Sequence, residues 1–190
     1  MEASGSMTIG VLALQGNFRE HAAMLRALGA EIVEVRLPEE LEGLDGLVIP
    51  GGESTAITRL MRLYGFEDAL RGFAQPIFGT CAGMILLDRL HLGLADLEVA
   101  RNAYGRQAAS FEADLQLADD EEPLRGVFIR APRVSDWGPE VEVLAEHAGQ
   151  PVLLRAGRIL VASFHPELTG DTRVHERFLA LVQEEQSVRA

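Results

Sequence analysis

The amino-acid sequence predicts an α/β protein: a three-layer αβα body around a mixed, mostly parallel open sheet with helices on both faces. Three observations predict it. Short aliphatic and β-branched runs alternate with amphipathic helical stretches through the first half of the chain, as parallel strands with crossover helices require. The chain of 190 residues is 47% apolar and 24% charged, which suits one substantial core without disulfides or a structural metal. Glycine-bearing loops follow the strand-like runs, and in an open α/β sheet the strand ends are where ligands bind.

Residues 1–6 are small and polar, without the basic and apolar regions of a secretory signal, and are expected to form a disordered leader before a second start at Met7. The run 8–14 is a first strand. Gln15, Gly16 and Asn17 break it, and Asn17 is placed to cap a helix with Phe18, Ala22, Leu25 and Leu28 on its apolar face, stopped by Gly29. Runs 31–37 and 44–49 are the next strands, the second entering Pro50-Gly51-Gly52. Ser54 then caps a helix to about Tyr64, with Ile57, Leu60, Met61 and Tyr64 on one side. The run 76–78 ends at Gly79, and a helix from Ala82 to about Leu90 follows. Beyond it, 97–101, 113–117, 127–130, 141–146, 151–155 and 158–164 are strand candidates with no helix between them, so several must pair antiparallel. Ala156-Gly157 has the length of a two-residue hairpin turn. A helix over 172–184 carrying Val174, Phe178, Leu181 and Val182 closes a single domain spanning 7–186, leaving 187–190 as a tail.

Charge and cysteine content narrow the function. Seventeen Lys and Arg against 29 Asp and Glu give 17 − 29 = −12, a field that repels nucleic-acid backbones and anionic lipid surfaces. No apolar stretch is long enough for a transmembrane helix. One cysteine makes neither an internal disulfide nor a zinc cage, and a reducing cytoplasm is the natural setting.

That cysteine stands in Gly79-Thr80-Cys81-Ala82-Gly83, after a strand and before a helix. The pattern is that of a nucleophile elbow with sulfur in place of hydroxyl. A tight strand-to-helix turn strains the central residue and presents it outward, while flanking glycines let neighbouring backbone approach. Free N–H groups at the helix start favour the thiolate, and the Ala82 N–H is a natural oxyanion donor. A lone cysteine is more often an inert buried side chain; the surrounding pattern reverses that reading.

A thiol nucleophile needs a proton acceptor that later protonates the leaving group, and histidine serves both purposes near neutrality. Of His21, His91, His147, His165 and His175, His165 stands out, because Ser163-Phe164-His165-Pro166-Glu167 places it just past the apolar strand 159–164, where the strand-end rule puts a ligand site. Glu167 falls on the same side in an extended chain and can fix the tautomer of the imidazole and stabilise its cation. His91, His147 and His175 are better read as solvated or structurally hydrogen-bonded. His21, four residues beyond Asn17, stays open as a contributor from the first helix.

The loops supply the remaining candidates. Pro50-Gly51-Gly52-Glu53-Ser54 lacks the spacing and the lysine of a Walker loop, and its best use is a second oxyanion N–H from Gly52. Arg101, Arg106 and Arg130 are candidates to hold a substrate carboxylate. The acidic run 119–122 is expected to be a solvated loop.

Taken together, LALQG at 12–16, PGGEST at 50–55, GTCAG at 79–83, RNAYGRQ at 101–107, FIRAP at 128–132 and SFHPELT at 163–169 resemble the class I, triad-type glutamine amidotransferases. More narrowly, they are similar to the glutaminase subunits of pyridoxal 5'-phosphate synthase. The resemblance implies hydrolysis of L-glutamine to L-glutamate and ammonia, with ammonia passed to a separate synthase subunit that builds the cofactor from a pentose phosphate and a triose phosphate. It also implies Cys81 as nucleophile, His165 as general acid and base, Glu167 as its carboxylate, and glutamine contacts from Gly52, Glu53, Ser54, Arg101, Ile129 and Arg130. Gln15 falls in the block that adjoins the oxyanion region and the partner. No metal or organic cofactor is implied for this half-reaction. A peptidase on a related fold, or a binding module that has kept the fold without the reaction, are the competing readings.

Overall fold

A computed structural model of the chain describes residues 5–101 and 110–190. Residues 1–4 of the expected leader, and Arg106 with the rest of the 102–107 motif, lie outside the described residues.

In chain order the strands are β1 (Thr8–Leu12), β2 (Glu31–Val35), β3 (Gly46–Ile49), β4 (Ile77–Thr80), β5 (Leu97–Ala100), β6 (Ser110–Leu117), β7 (Leu124–Ile129), β8 (Arg133–Trp137), β9 (Glu142–His147), β10 (Gln150–Ala156) and β11 (Ile159–Ala162). The helices are α1 (Phe18–Ala27), α2 (Ser54–Tyr64), α3 (Phe66–Arg71), α4 (Ala82–Leu87) and α5 (Arg173–Arg189). A nine-stranded sheet runs in the order β2-β1-β3-β4-β11-β10-β9-β6-β7. Its first five strands are parallel to one another, and the other four extend it antiparallel. β5 and β8 form a separate antiparallel pair.

Side chains alternate faces along each strand, and here each face meets its own helices. Ile9, Val11, Val48, Phe78, Leu160 and Ala162 pack with α1 and α5 through Ala22, Leu25, Val174, Phe178, Leu181 and Val182. Leu12, Leu47, Ile49, Ile77, Ile159 and Val161 face the other way, onto Ile57 and Met61 of α2, Phe66 and Leu70 of α3, and α4. The three-layer body with a mixed open sheet is therefore present, and the central strands are buried on both sides as their uninterrupted apolar runs require.

Local chemistry moved several boundaries. The cap of α2 is Glu53, not Ser54: the Glu53 carboxylate accepts from the N–H groups of Thr55 at 3.0 Å and Ala56 at 2.6 Å. Asn17 precedes α1 but its side chain makes no cap bond. α4 stops at Leu87 because Asp88 adopts extended backbone and its carboxylate takes the N–H groups of Leu90, His91 and Val99. The turn between β10 and β11 is Gly157-Arg158, since Ala156 already pairs with Ile159. α3 follows a left-handed Gly65, and α5 runs on to Arg189, beyond the expected end at Glu184. The acidic run is a largely exposed turn, as expected, with two of its carboxylates also paired to α5: Asp119 meets Arg177, and Asp120 accepts from Arg173 at 2.8 Å.

Candidate functional site

Cys81 and His165 come together because their strands are neighbours. Thr80 pairs with Ala162 at the carboxyl ends of β4 and β11, and the Cys81 N–H donates to the Ala162 carbonyl at 2.8 Å. Three residues past β11, the His165 N–H donates to the Val127 carbonyl of β7 at 2.8 Å, which turns the imidazole back over the end of β4.

The elbow has the predicted strain. Cys81 sits at φ 51°, ψ −106°, a region L-residues seldom adopt. The flanking glycines are there for contact with backbone. A Cβ on Gly79 would fall 2.8 Å from the carbonyl of Gly83, and one on Gly83 would fall 2.0 Å from the Ile49 carbonyl oxygen. Ala82 begins α4, so its N–H is one of the first-turn donors without an intrahelical acceptor.

Behind the sulfur, His165 Nδ1 lies 2.7 Å from Glu167 Oε1. A carboxylate only accepts, so Nδ1 carries the proton and Nε2 is the nitrogen left for Cys81, whose side chain hydrogen-bonds this ring. The contact is made through a 3-10 turn at Pro166–Leu168, not along the extended chain that the sequence suggested. Burial alone would lower the basicity of His165, but its bonds to Cys81 and Glu167 outweigh that and push it up to about 10. Burial likewise favours a neutral Glu167, yet the imidazoles of His21 and His165 hold its carboxyl down at about 2. At neutral pH the array is therefore a carboxylate and an imidazolium beside the Cys81 sulfur.

These groups open onto a cavity of about 510 Å³ lined by Gly52, Glu53, Ser54, Cys81, Ala82, Arg101, Ile129, Arg130 and His165, together with Asn17, Thr55, Ile85 and Pro132. Every residue carried over from the motifs lines it except Gln15 and Glu167. Glu167 stands behind His165. The Gln15 side-chain oxygen accepts from the Glu53 N–H at 2.9 Å, and a Cβ on Gly52 would meet that oxygen at 2.3 Å, so Gln15 lies across the glycine loop. The loop is fixed from both sides: Gly51 N–H donates to Thr80 Oγ1 at 3.1 Å and the Gly51 carbonyl accepts from Asn17 N–H at 3.0 Å. Arg130 has a left-handed backbone at φ 45°, which directs the chain over the cavity, and the Ile129 carbonyl is 3.9 Å from the sulfur.

Asn17 is the functional side chain the sequence reading missed. Its Nδ2 donates to Glu167 Oε1 at 3.2 Å, a role hidden because asparagine before a helix reads as a cap. His91 is held by Asp88 at 2.7 Å and His147 rests against Phe111 and Phe128, in keeping with structural roles. Among the described residues, no group of three or more His, Cys, Asp or Glu is placed to hold a metal ion, and no helix is long and apolar enough to cross a membrane.

An elbow cysteine, an imidazole and a carboxylate at the carboxyl edge of this sheet define the architecture of a glutamine amidotransferase. A solved structure described as a glutamine amidotransferase superposes with a TM-score of 0.86 at 49% identity, covering 92% of this chain and 98% of the other. The sequence profile of the SNO glutamine amidotransferase family matches residues 11–184, and the chain belongs to that family. Its relatives include proteins named pyridoxal 5'-phosphate synthase subunit PdxT from Thermosipho africanus and Pelotomaculum thermopropionicum. The first is 52% identical, covering 93% of this chain and all of the relative. The second is 53% identical, covering 97% of each.

Proposed function

We propose that this chain is the glutaminase subunit of a pyridoxal 5'-phosphate synthase, hydrolysing L-glutamine to L-glutamate and ammonia through a glutamyl thioester on Cys81. One observation carries the reading: a strained elbow cysteine faces the His165–Glu167 pair at the floor of a cavity rimmed by Arg101 and Arg130. Its relatives' names support the destination of the ammonia, a separate synthase subunit in vitamin B6 formation.

The chemistry follows from the groups present. The sulfur attacks the side-chain amide carbon, and the charge on the carbonyl oxygen is met by the Ala82 and Gly52 N–H groups. His165, cationic and held by Glu167, gives its proton to the departing nitrogen, and ammonia leaves. The same imidazole, now neutral, takes a proton from water as the water attacks the thioester, releasing glutamate and restoring the sulfur. Arg101 and Arg130 line the cavity and take the α-carboxylate of glutamine in this reading, with Glu53, Ser54 and Ile129 completing the wall. Glu53 contributes through its place in the wall, since its carboxylate is occupied in capping α2. Residues 7–186 act as one catalytic domain, and a cytoplasmic setting suits a lone functional thiol.

Cys81→Ala tests the reading. The variant is expected to fold, to bind the synthase subunit and to release no ammonia from glutamine above background; ammonia released at the rate of the unaltered chain overturns the assignment.

A further inference from the structure

His21 is wholly buried, on α1, and touches the catalytic array from behind. Its Nε2 lies 3.1 Å from Thr80 Oγ1 and 3.4 Å from Glu167 Oε2, and its Nδ1 lies 2.8 Å from Nε2 of His175 on α5. Glu167 Oε2, a carboxylate oxygen, and His175 Nδ1 are both buried with no hydrogen-bond partner among the described residues. A buried oxygen of an ionised carboxylate left without a donor is costly, so the tautomer of His21 matters.

Two arrangements satisfy the contact between the histidines. In one, Thr80 donates to His21 Nε2 and His21 Nδ1–H donates to His175. That aims a nitrogen lone pair at Glu167 Oε2 and strands a buried Nδ1–H on His175. In the other, His175 Nε2–H donates to His21 Nδ1, and His21 Nε2–H is shared between Thr80 Oγ1 and Glu167 Oε2. The second puts a donor against the buried negative charge, and it leaves a bare acceptor on His175 and the Thr80 hydroxyl proton without an acceptor among the described residues. It also ties two parts of the site to one ring, because Thr80 Oγ1 accepts from the Gly51 N–H of the glycine loop.

We propose that His21 is a positioning residue for the reaction: as the Nε2–H tautomer, set by His175, it holds the outer oxygen of Glu167 and, through Thr80, the glycine loop. Glu167 thus has a donor on each oxygen, with His165 and Asn17 on Oε1 and His21 on Oε2. The inference rests on the proposed glutaminase chemistry and extends it from three side chains to a buried network.

The test pairs two amides of the same chemistry. In His21→Gln the side-chain N–H reaches the place of Nε2; in His21→Asn it stops near Nδ1. With glutamine as substrate and the synthase subunit present, His21→Gln is expected to keep kcat within about threefold, whereas His21→Asn is expected to lose about 10- to 100-fold in kcat with KM little changed. Equal kcat for the two variants overturns the proposal. The nitrogen NMR shifts of the His21 ring in the unaltered full chain supply a readout that needs no variant to fold. A protonated Nε2 and bare Nδ1 are expected, and a protonated Nδ1 with bare Nε2 overturns the proposal. If the unaltered chain releases no ammonia from glutamine, it is the glutaminase reading that fails, and the ring spectrum still decides the tautomer.

Discussion

His175 is fully buried between Phe78 and His21, and burial, with the neighbouring His21 ring adding to it, pushes its basicity down from 6.5 to about 3. A group whose folded value lies below its unfolded one stabilises the fold above the unfolded value and loses that contribution as acid is added. Between pH 7 and pH 5 the unfolded chain takes up a proton at this residue and the folded chain does not. At pH 5 the gap from 6.5 is 1.5 units, so His175 alone withdraws about 2 kcal/mol of folding stability. His21, lowered first by burial, acts in the same direction. Urea unfolding at pH 7, 6 and 5 measures the effect, with His175→Met as the control that removes the titrating ring. The variant is expected to start less stable at pH 7, having lost the bond to His21, but to fall less steeply toward pH 5, by about 2 kcal/mol. Parallel losses for the two proteins over that interval would refute the argument, because the carboxylates, which also weaken folding in acid, are common to both.

Three further outcomes are expected. Gly83→Ala sets a methyl 2.0 Å from the Ile49 carbonyl oxygen, so it should lower the melting temperature and abolish turnover together; a variant as stable and active as the parent would remove the close-approach account of the elbow. Arg130→Ala should raise KM for glutamine about 10- to 100-fold through loss of a charge-assisted bond to the α-carboxylate, with a smaller change in kcat, and an unaltered KM would take Arg130 out of the binding wall. With His165 pushed up to about 10, its proton is retained as pH rises, so kcat/KM should hold through pH 9 and fall above it; a basic limb centred near 6.5 would mean that the imidazole is not held by its neighbours as described.

The layers and the elbow were legible because both depend on local pattern. Uninterrupted apolar runs announced strands buried on two faces, and the glycines around Cys81 announced the elbow. His165 was readable from its place after a strand. What escaped was set by contacts between distant segments. Asn17 looks like a helix cap until Glu167, 150 residues away, is placed beside it. The pairing of His21 with His175 joins the first helix to the last, and no spacing along the chain hints at it. Glu53 beat Ser54 to the cap of α2 because its longer carboxylate reaches two N–H groups at once. β8 was overlooked since Arg133–Trp137 is largely polar, and it is a strand only by virtue of pairing with β5.

The nine-stranded sheet divides the labour of the enzyme along its length. Its parallel half carries Cys81 and His165 beyond the ends of β4 and β11, while the antiparallel half delivers Ile129 and Arg130 to the same cavity. A backbone bond from His165 to Val127 couples the two. Changes to the length or sequence of the β6–β7 arm would therefore recut one wall of the cavity and leave Cys81 and His165 untouched, so long as that one carbonyl stays where it is.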